Sequence, residues 1–543
     1  MRVPDIPPTR APLPARRLAV LGAAGLAAAV LVFALGTIAA RVVLGADERA
    51  SRTRVEAEVR DEFDAMAREL RDLAASVADP ELLASAAADD AAARQLFDAA
   101  EAALAARPGE ELALTVYGVD GQPLAWAGRP SEFPAERMAG NEAWVLVQGP
   151  VGLRLVYLQP LTSSGGARVG VAVAERVVAP AAGGDPLVYA TRFTRVTLVL
   201  DDTTANGGGA DVFDVPAPSG ATLVRARLAA TDIEAARIRW QTATRSLAVM
   251  TLALALVLLC GPLIDWRKAS RTRAPFTVAV LLTAAATLAA RAMMRLASPA
   301  DWAPAEVFAA TGYASPRLAP LLTSPFDMLM TALALGALVA LAFFGVEGWR
   351  LTWRRRRLGL STGARRATYA VLQVAAGVVV TLALTGHFGF LRDTISNASI
   401  DLLHFSLHPW DTARVALQLG LVLWHAAVLG LCVLVLRASL VPWSVGRHDP
   451  RAIAATAFCW AAPALTWLAL GRAPAEERAP LLLGLAGAIV LGVLGTRLKS
   501  RYRHGSQAFR LMLLTLGLVV PALVFYPAAF RLAVDAKVQL VES

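Results

Sequence analysis

Residues 349–366 read W-R-L-T-W-R-R-R-R-L-G-L-S-T-G-A-R-R, seven arginines between two long apolar runs, 326–346 and 369–391. The runs are 21 and 23 residues long. At about 1.5 Å of rise per helical residue, each is long enough to cross a hydrocarbon layer of roughly 30 Å, so both read as membrane helices. A short loop this rich in arginine is retained on the cytoplasmic side during insertion. It therefore orients both neighbours and, by alternation, every other span.

Composition points the same way. Of 543 residues, 56% are hydrophobic and 18% charged, with a mean hydropathy of +0.51, the profile of a polytopic membrane protein. The net charge of +10 resides largely in loops beside apolar runs, where topology accounts for it, and no nucleic-acid partner is expected. Cys260, Cys432 and Cys459 all lie in or beside predicted spans. That placement excludes a disulfide framework in the polar region and a zinc finger anywhere.

Reading outward from the arginine loop predicts nine spans. A cytoplasmic N-terminus, residues 1–17, carries Arg10, Arg16 and Arg17 and precedes the first span, 18–40. This run exceeds a usual signal-peptide core and reads as an uncleaved anchor, with cleavage near Ala39 or Ala40 as the alternative. Residues 41–245 form an extracytoplasmic region large enough for one folded domain. An eight-span membrane block, 246–531, follows, with spans at 247–264, 276–296, 326–346, 369–391, 415–436, 452–470, 481–498 and 511–530, and residues 532–543 form a short extracytoplasmic amphipathic tail. The predicted inner loops carry four, seven, three and five Lys or Arg. Outer loops carry one or two each once Arg291 and Arg295 are assigned to a helix end, where they snorkel to the interface. Asp265, Asp327, Glu347 and Arg414 also fall at span ends, where water is expected to solvate them.

In the outer region, Val59, Phe63, Met66, Leu70, Leu73 and Val77 recur at intervals of four and three between charged residues, one apolar seam on a helix. Asp79 then caps a second, alanine-rich helix with Pro80 in its first position, ending at Arg107-Pro108-Gly109. From Glu111 the pattern becomes strand. Leu112, Leu114 and Val116 alternate with Ala113, Thr115 and Tyr117, and Asp120-Gly121 supplies a turn. Further strands are predicted at 143–147, 153–158, 169–173, 188–200 and 222–228, with a flexible loop at 206–209. A helix over 233–245 runs into the next span.

The phrase Leu114-Thr-Val-Tyr-Gly-Val-Asp-Gly-Gln-Pro-Leu-Ala-Trp126, with the hairpin from Val156-Tyr-Leu-Gln-Pro-Leu161 to Arg168-Val-Gly-Val-Ala-Val173, resembles the Cache or PAS-like sensor domains of bacterial receptors. In those families a long helix leaves the membrane, an antiparallel sheet follows, and the chain returns as a helix. The resemblance covers about 150 residues and does not account for the strands after residue 185. It implies a pocket for a small carboxylate, with Tyr117, Trp126, Arg129, Trp144, Arg154 and Tyr157 as candidate ligand-binding residues and an arginine as the bidentate partner.

Two histidine constellations stand out in the membrane block. His404 and His408 lie four apart with Asp401 three residues before, and His387 can approach from the preceding span; imidazoles so spaced can hold a metal or line an interfacial helix. His425 sits mid-span, where an ionisable group either relays protons or holds a ligand, or is simply a neutral imidazole bonded to a neighbouring helix. No phosphate-binding loop, nucleophile elbow or kinase transmitter motif is present, and no cofactor is implied.

The fold class expected is therefore a polytopic α-helical membrane protein of about nine spans, with an extracytoplasmic mixed α/β domain between spans 1 and 2. The plan is similar to the amino-terminal half of a bacterial membrane sensor histidine kinase in the inner membrane. That resemblance implies a sensory input module for a small ligand or envelope state, with the lipid bilayer and either a homodimer mate or a separate signalling protein as partners. Kinase activity is implied only if a transmitter domain follows or a partner supplies one. The alternatives are a transporter or membrane-embedded enzyme for envelope or lipid-linked substrates, and a scaffold that binds partners through the seam at 59–77.

Overall fold

The computed structural model describes residues 14–107, 112–149, 152–180, 187–200, 211–270, 272–303, 305–310, 313, 318, 321–352, 358–360, 362–398, 411–443, 450–504 and 506–542. The chain divides into two compact units, residues 36–241 and residues 1–35 with 242–543.

The first unit is built on α2, Glu48–Ala75, which follows α1, Ala15–Leu44. Asp47 caps α2 by accepting from the Ala50 amide, and the predicted seam is buried throughout, from Val59 and Phe63 to Leu73 and Val77. Asp79 accepts from the amides of Glu81 and Leu82, with Pro80 opening α3, Pro80–Ala86. The alanine-rich stretch is not one helix. Asp89 takes the amide of Ala91 and starts a new one, α4, Asp90–Ala105.

Five strands, β1 Leu112–Gly118, β2 Pro123–Ala127, β3 Ala143–Gly149, β4 Gly152–Thr162 and β5 Arg168–Pro180, form an antiparallel sheet in the order β2-β1-β5-β4-β3. A four-residue helix, α5 Ala135–Met138, lies in the β2–β3 connection. The alternation in β1 suggests one buried face, yet all seven residues are buried. Leu112, Leu114 and Val116 join the core under α2, while Tyr117 joins a second cluster with Met138, Val156, Leu158, Val171 and Val173 on the opposite face. Residues 188–200 are two strands, not one, because Thr191 and Thr194 close a turn between them. β6 Val188–Ala190, β7 Arg195–Val199, β8 Val212–Pro216 and β9 Thr222–Arg227 make a second antiparallel sheet, order β6-β7-β9-β8. The returning helix, α6, is continuous over Ala230–Ala269.

Both sheets share one core with α2. Val55, Val59 and Phe63 belong to the same buried cluster as Val196, Leu198, Phe213, Val215 and Val224, and Leu70 and Leu73 to that of Leu114, Leu155 and Ala174. The seam is thus consumed inside the domain. This corrects the scaffold reading, since no apolar stripe remains at 59–77 for a partner helix.

The second unit is a helical membrane block. Among the described residues eight helices are long and apolar enough to cross a bilayer: α1, α6, α7 Arg273–Leu296, α8 Pro325–Thr352, α9 Gly363–Ser396, α10 Thr412–Ser439, α11 Pro450–Ala469 and α12 Ala475–His504. The chain is a multi-pass helical membrane protein. A further helix, α13, runs unbroken over Gln507–Glu542 and takes in most of the stretch expected as a separate tail. α10 is the central column, packed on α8, α9, α12 and α13, with Leu417, Leu421, Leu436, Val380, Leu384, Trp460 and Leu481 fully buried around it. α9 and α11 touch through backbone at Gly377, where a methyl group would lie 2.5 Å from the Trp460 carbonyl oxygen.

Several charges at the helix ends are not left to water, although Asp265 is. Asp327, 6% exposed, is held by Arg291 at 2.7 Å and Arg295 at 3.6 Å across α7 and α8. Glu347 pairs with Arg437 across α8 and α10, and Arg392 pairs with Glu477 at 2.8 Å across α9 and α12. The expectation of solvated Asp327 and Glu347, and of a snorkelling Arg291, is overturned: inside a helical bundle, opposite charges meet at short range and replace the lost hydration. Gln373 is likewise enclosed, accepting from Trp460 Nε1 at 2.8 Å and Ser439 Oγ at 2.7 Å.

Leu70→Ala should lower the stability of the first unit by about 2–5 kcal/mol. Because both sheets rest on α2, circular dichroism and tryptophan fluorescence should report a single, shared thermal transition shifted to lower temperature.

Candidate functional site

The six candidate ligand-binding residues picked from the sequence fall into three separate places. Trp126 lies on β2, 46% exposed, edge-on to Phe97 of α4 at 5.0 Å. Trp144 and Tyr157 stack across β3 and β4 at 4.2 Å. The Arg71 guanidinium lies over both rings, and Glu142 accepts from Arg71 at 3.3 Å and from the Tyr157 hydroxyl at 3.0 Å. Burial, reinforced by Glu142, raises the Tyr157 phenol above its ordinary range. This group ties α2 to the sheet.

The third place holds Arg154, Arg129 and Tyr117 on the far face. Arg154 is 5% exposed and pairs at 3.0 Å with Glu175, which is fully buried. Nη1 of Arg154 also donates to the carbonyl of Arg129 at 2.5 Å, and Glu175 accepts from the Ser131 amide with both oxygens, at 3.0 and 3.2 Å. Burial pushes the Tyr117 phenol up, and the Glu175 charge adds to this. The guanidinium expected to receive a ligand carboxylate already has one from its own chain.

Elsewhere a groove of about 620 Å³ runs along the polar side of α2. α2 contributes Glu62, Met66, Arg68, Glu69 and Asp72, the end of α4 brings Arg107, β5 brings Arg176 and β6 brings Tyr189. Two bonds across it tie the helix to a different sheet each. Glu69 pairs with Arg176, and Glu62 accepts from the Tyr189 hydroxyl at 2.5 Å. Burial, then the neighbouring Glu62, drive the Tyr189 phenol far above its ordinary range. The lining offers charges of both signs and an aromatic edge, groups that can hydrogen-bond and pair with a polar molecule. Sequence reasoning missed the groove because it followed α2's apolar seam and gave the charged residues between its members no role of their own; Glu62 and Glu69 lie seven apart, on one side of the helix.

In the membrane block His425 is 1% exposed and is joined to His387, 4% exposed, by a 2.8 Å contact between its Nδ1 and Nε2 of His387. One ring must donate and the other accept, so the contact uses one nitrogen of each ring and suits a neutral pair. His387 therefore turns to α10. Asp401, His404 and His408 lie outside the described residues, and among the described residues no group of three His, Cys, Asp or Glu side chains converges as a metal site would require.

Glu175→Ala strands the Arg154 charge and should destabilise the domain by about 3–5 kcal/mol. In urea titrations a paired Arg154→Met, Glu175→Leu variant should recover most of that loss. A pH effect is expected from Glu58, whose carboxyl is raised from 4.5 by burial despite the Arg192 amide that it accepts. Just above pH 4.5 the folded chain keeps a proton there that the unfolded chain has released, so stability falls as pH rises through that window. Glu58→Gln should flatten this slope in melting curves taken between acid and neutral pH.

No protein-family model matches this chain, and neither a curated protein nor a solved structure does.

Proposed function

We propose that the chain is a membrane-bound sensory input module, in which residues 41–245 face the outside and detect a small polar ligand or a change in the envelope. The groove beside α2 carries this reading. It is of small-ligand size, about 620 Å³, and its rim is made by the one helix that supports both sheets. A ligand with differential affinity for two settings of α2 would bias them, which is all that sensing requires. A long helix, then a five-stranded antiparallel sheet, then a return helix is also the order that the Cache or PAS-like resemblance implies; the four-stranded sheet is an addition to it. Under this reading the arginine-rich loop is cytoplasmic in an inner membrane, and output passes to a homodimer mate, a separate signalling protein or a kinase transmitter.

A second reading, a transporter or membrane-embedded enzyme, draws support from the His387–His425 pair, a polar constellation buried between α9 and α10. The two readings separate on one substitution. His425→Ala should leave a sensor's ligand response intact and should abolish uptake or turnover in the rival.

Two measurements test the sensory reading. A periplasm-dependent reporter enzyme fused near residue 150 should be active; activity only of a cytosol-dependent reporter there would end it. Full-length protein in lipid nanodiscs, screened by thermal shift against small polar metabolites, should gain at least about 2 °C with a binder. Glu69→Gln with Tyr189→Phe should abolish that gain, and no stabilising compound across a broad panel would count against the groove.

A further inference from the structure

The connection between β2 and β3 crosses the second face of the five-stranded sheet as a strap, and side chains from β4 and β5 fasten it at both ends. At the first end the Ser131 amide donates to Glu175, while the Arg129 carbonyl accepts from Arg154. At the second end Arg168 donates to the carbonyls of Ala139 at 2.9 Å, Gly140 at 2.7 Å and Met138. Between the fastenings Phe133 and Met138 are pressed into the apolar cluster of Tyr117, Val156 and Val173.

The chemistry of the two fastenings is unlike that of the sheet below. Strands β1, β4 and β5 are joined by continuous ladders, from Leu112↔Arg176 to Gly118↔Gly170 and from Gly152↔Pro180 to Thr162↔Arg168. The strap has only a four-residue helix of its own. Apart from the Glu142 bonds to Arg71 and Tyr157 where it enters β3, its polar hold depends on two guanidinium groups and one carboxylate acting on backbone groups, so a few charged contacts decide whether it lies down. The Arg154–Glu175 pair is buried with the strap in place, and each partner uses its remaining capacity on strap backbone.

We propose that this strap is a latched cover, which opens as one piece over an intact sheet, with Arg154–Glu175 as the latch and Arg168 as the second clasp. Opening bares an apolar face on β1, β4 and β5 at the centre of the domain. The device is independent of the groove and of any ligand bound there.

Hydrogen exchange read by mass spectrometry on the full-length protein in nanodiscs tests it, using wild type, Glu175→Gln and Arg168→Gln. Peptides from residues 129–142 should exchange about tenfold faster in each variant; β1, β4 and β5 should keep wild-type rates in Arg168→Gln and should rise less than the strap in Glu175→Gln. If Glu175→Gln accelerates the three strands as much as the strap, the ion pair belongs to the core and the latch is wrong. Arg168→Gln leaves the buried pair intact and reads the second clasp alone; wild-type exchange over 138–142 in that variant overturns the proposal as well.

Discussion

The unit of residues 36–241 depends on one constraint, that a single helix must satisfy two sheets at once. α2 buries Val55, Val59, Phe63, Leu70 and Leu73 in one core to which the four-stranded and the five-stranded sheet both contribute. Fully burying one such side chain is worth about 1.5–3 kcal/mol, so neither sheet retains its core if the helix leaves. The polar side of α2 also meets both sheets, with Glu62 bonded to Tyr189 of β6 and Glu69 to Arg176 of β5. The groove lies where those two attachments meet the helix.

In the membrane block the corresponding constraint is that a charge or an amide inside the bundle needs a partner on another helix. Asp327, Glu347, Gln373 and Glu477 each find one. Helix ends expected on a common side of the membrane are the ones that meet, as in the Glu347–Arg437 pair and the bond from the Leu358 amide to the Pro442 carbonyl. The resulting bundle is held laterally by polar bonds at its rims and by close packing at Leu384, Leu421 and Trp460 within it.

Features written in local periodicity were legible before the structure. Span lengths, the seam from Val59 to Val77 and the Asp79-Pro80 cap each need only neighbours within a few residues. What escaped is long-range. The Arg154–Glu175 and Arg176–Glu69 pairs join residues 21 and 107 apart, and nothing in either flanking sequence names its mate. β8 was missed because five residues, Val-Phe-Asp-Val-Pro, make too short a run to stand out beside a glycine-rich loop. The break at Asp89 was missed because alanine on both sides favours helix so strongly that the capping aspartate was read through.

The pairing of Arg291 and Arg295 with Asp327 also bears on how the chain is made. Translation delivers the carboxylate 36 residues after Arg291, so the last turns of α7 emerge with Arg291 and Arg295 and no counter-charge. Without Asp327, arginines near a helix end must reach for the interface to stay hydrated. α7 and α8 are therefore best admitted to the bilayer together as a hairpin, with the first helix waiting in the translocation machinery until the second has been synthesised.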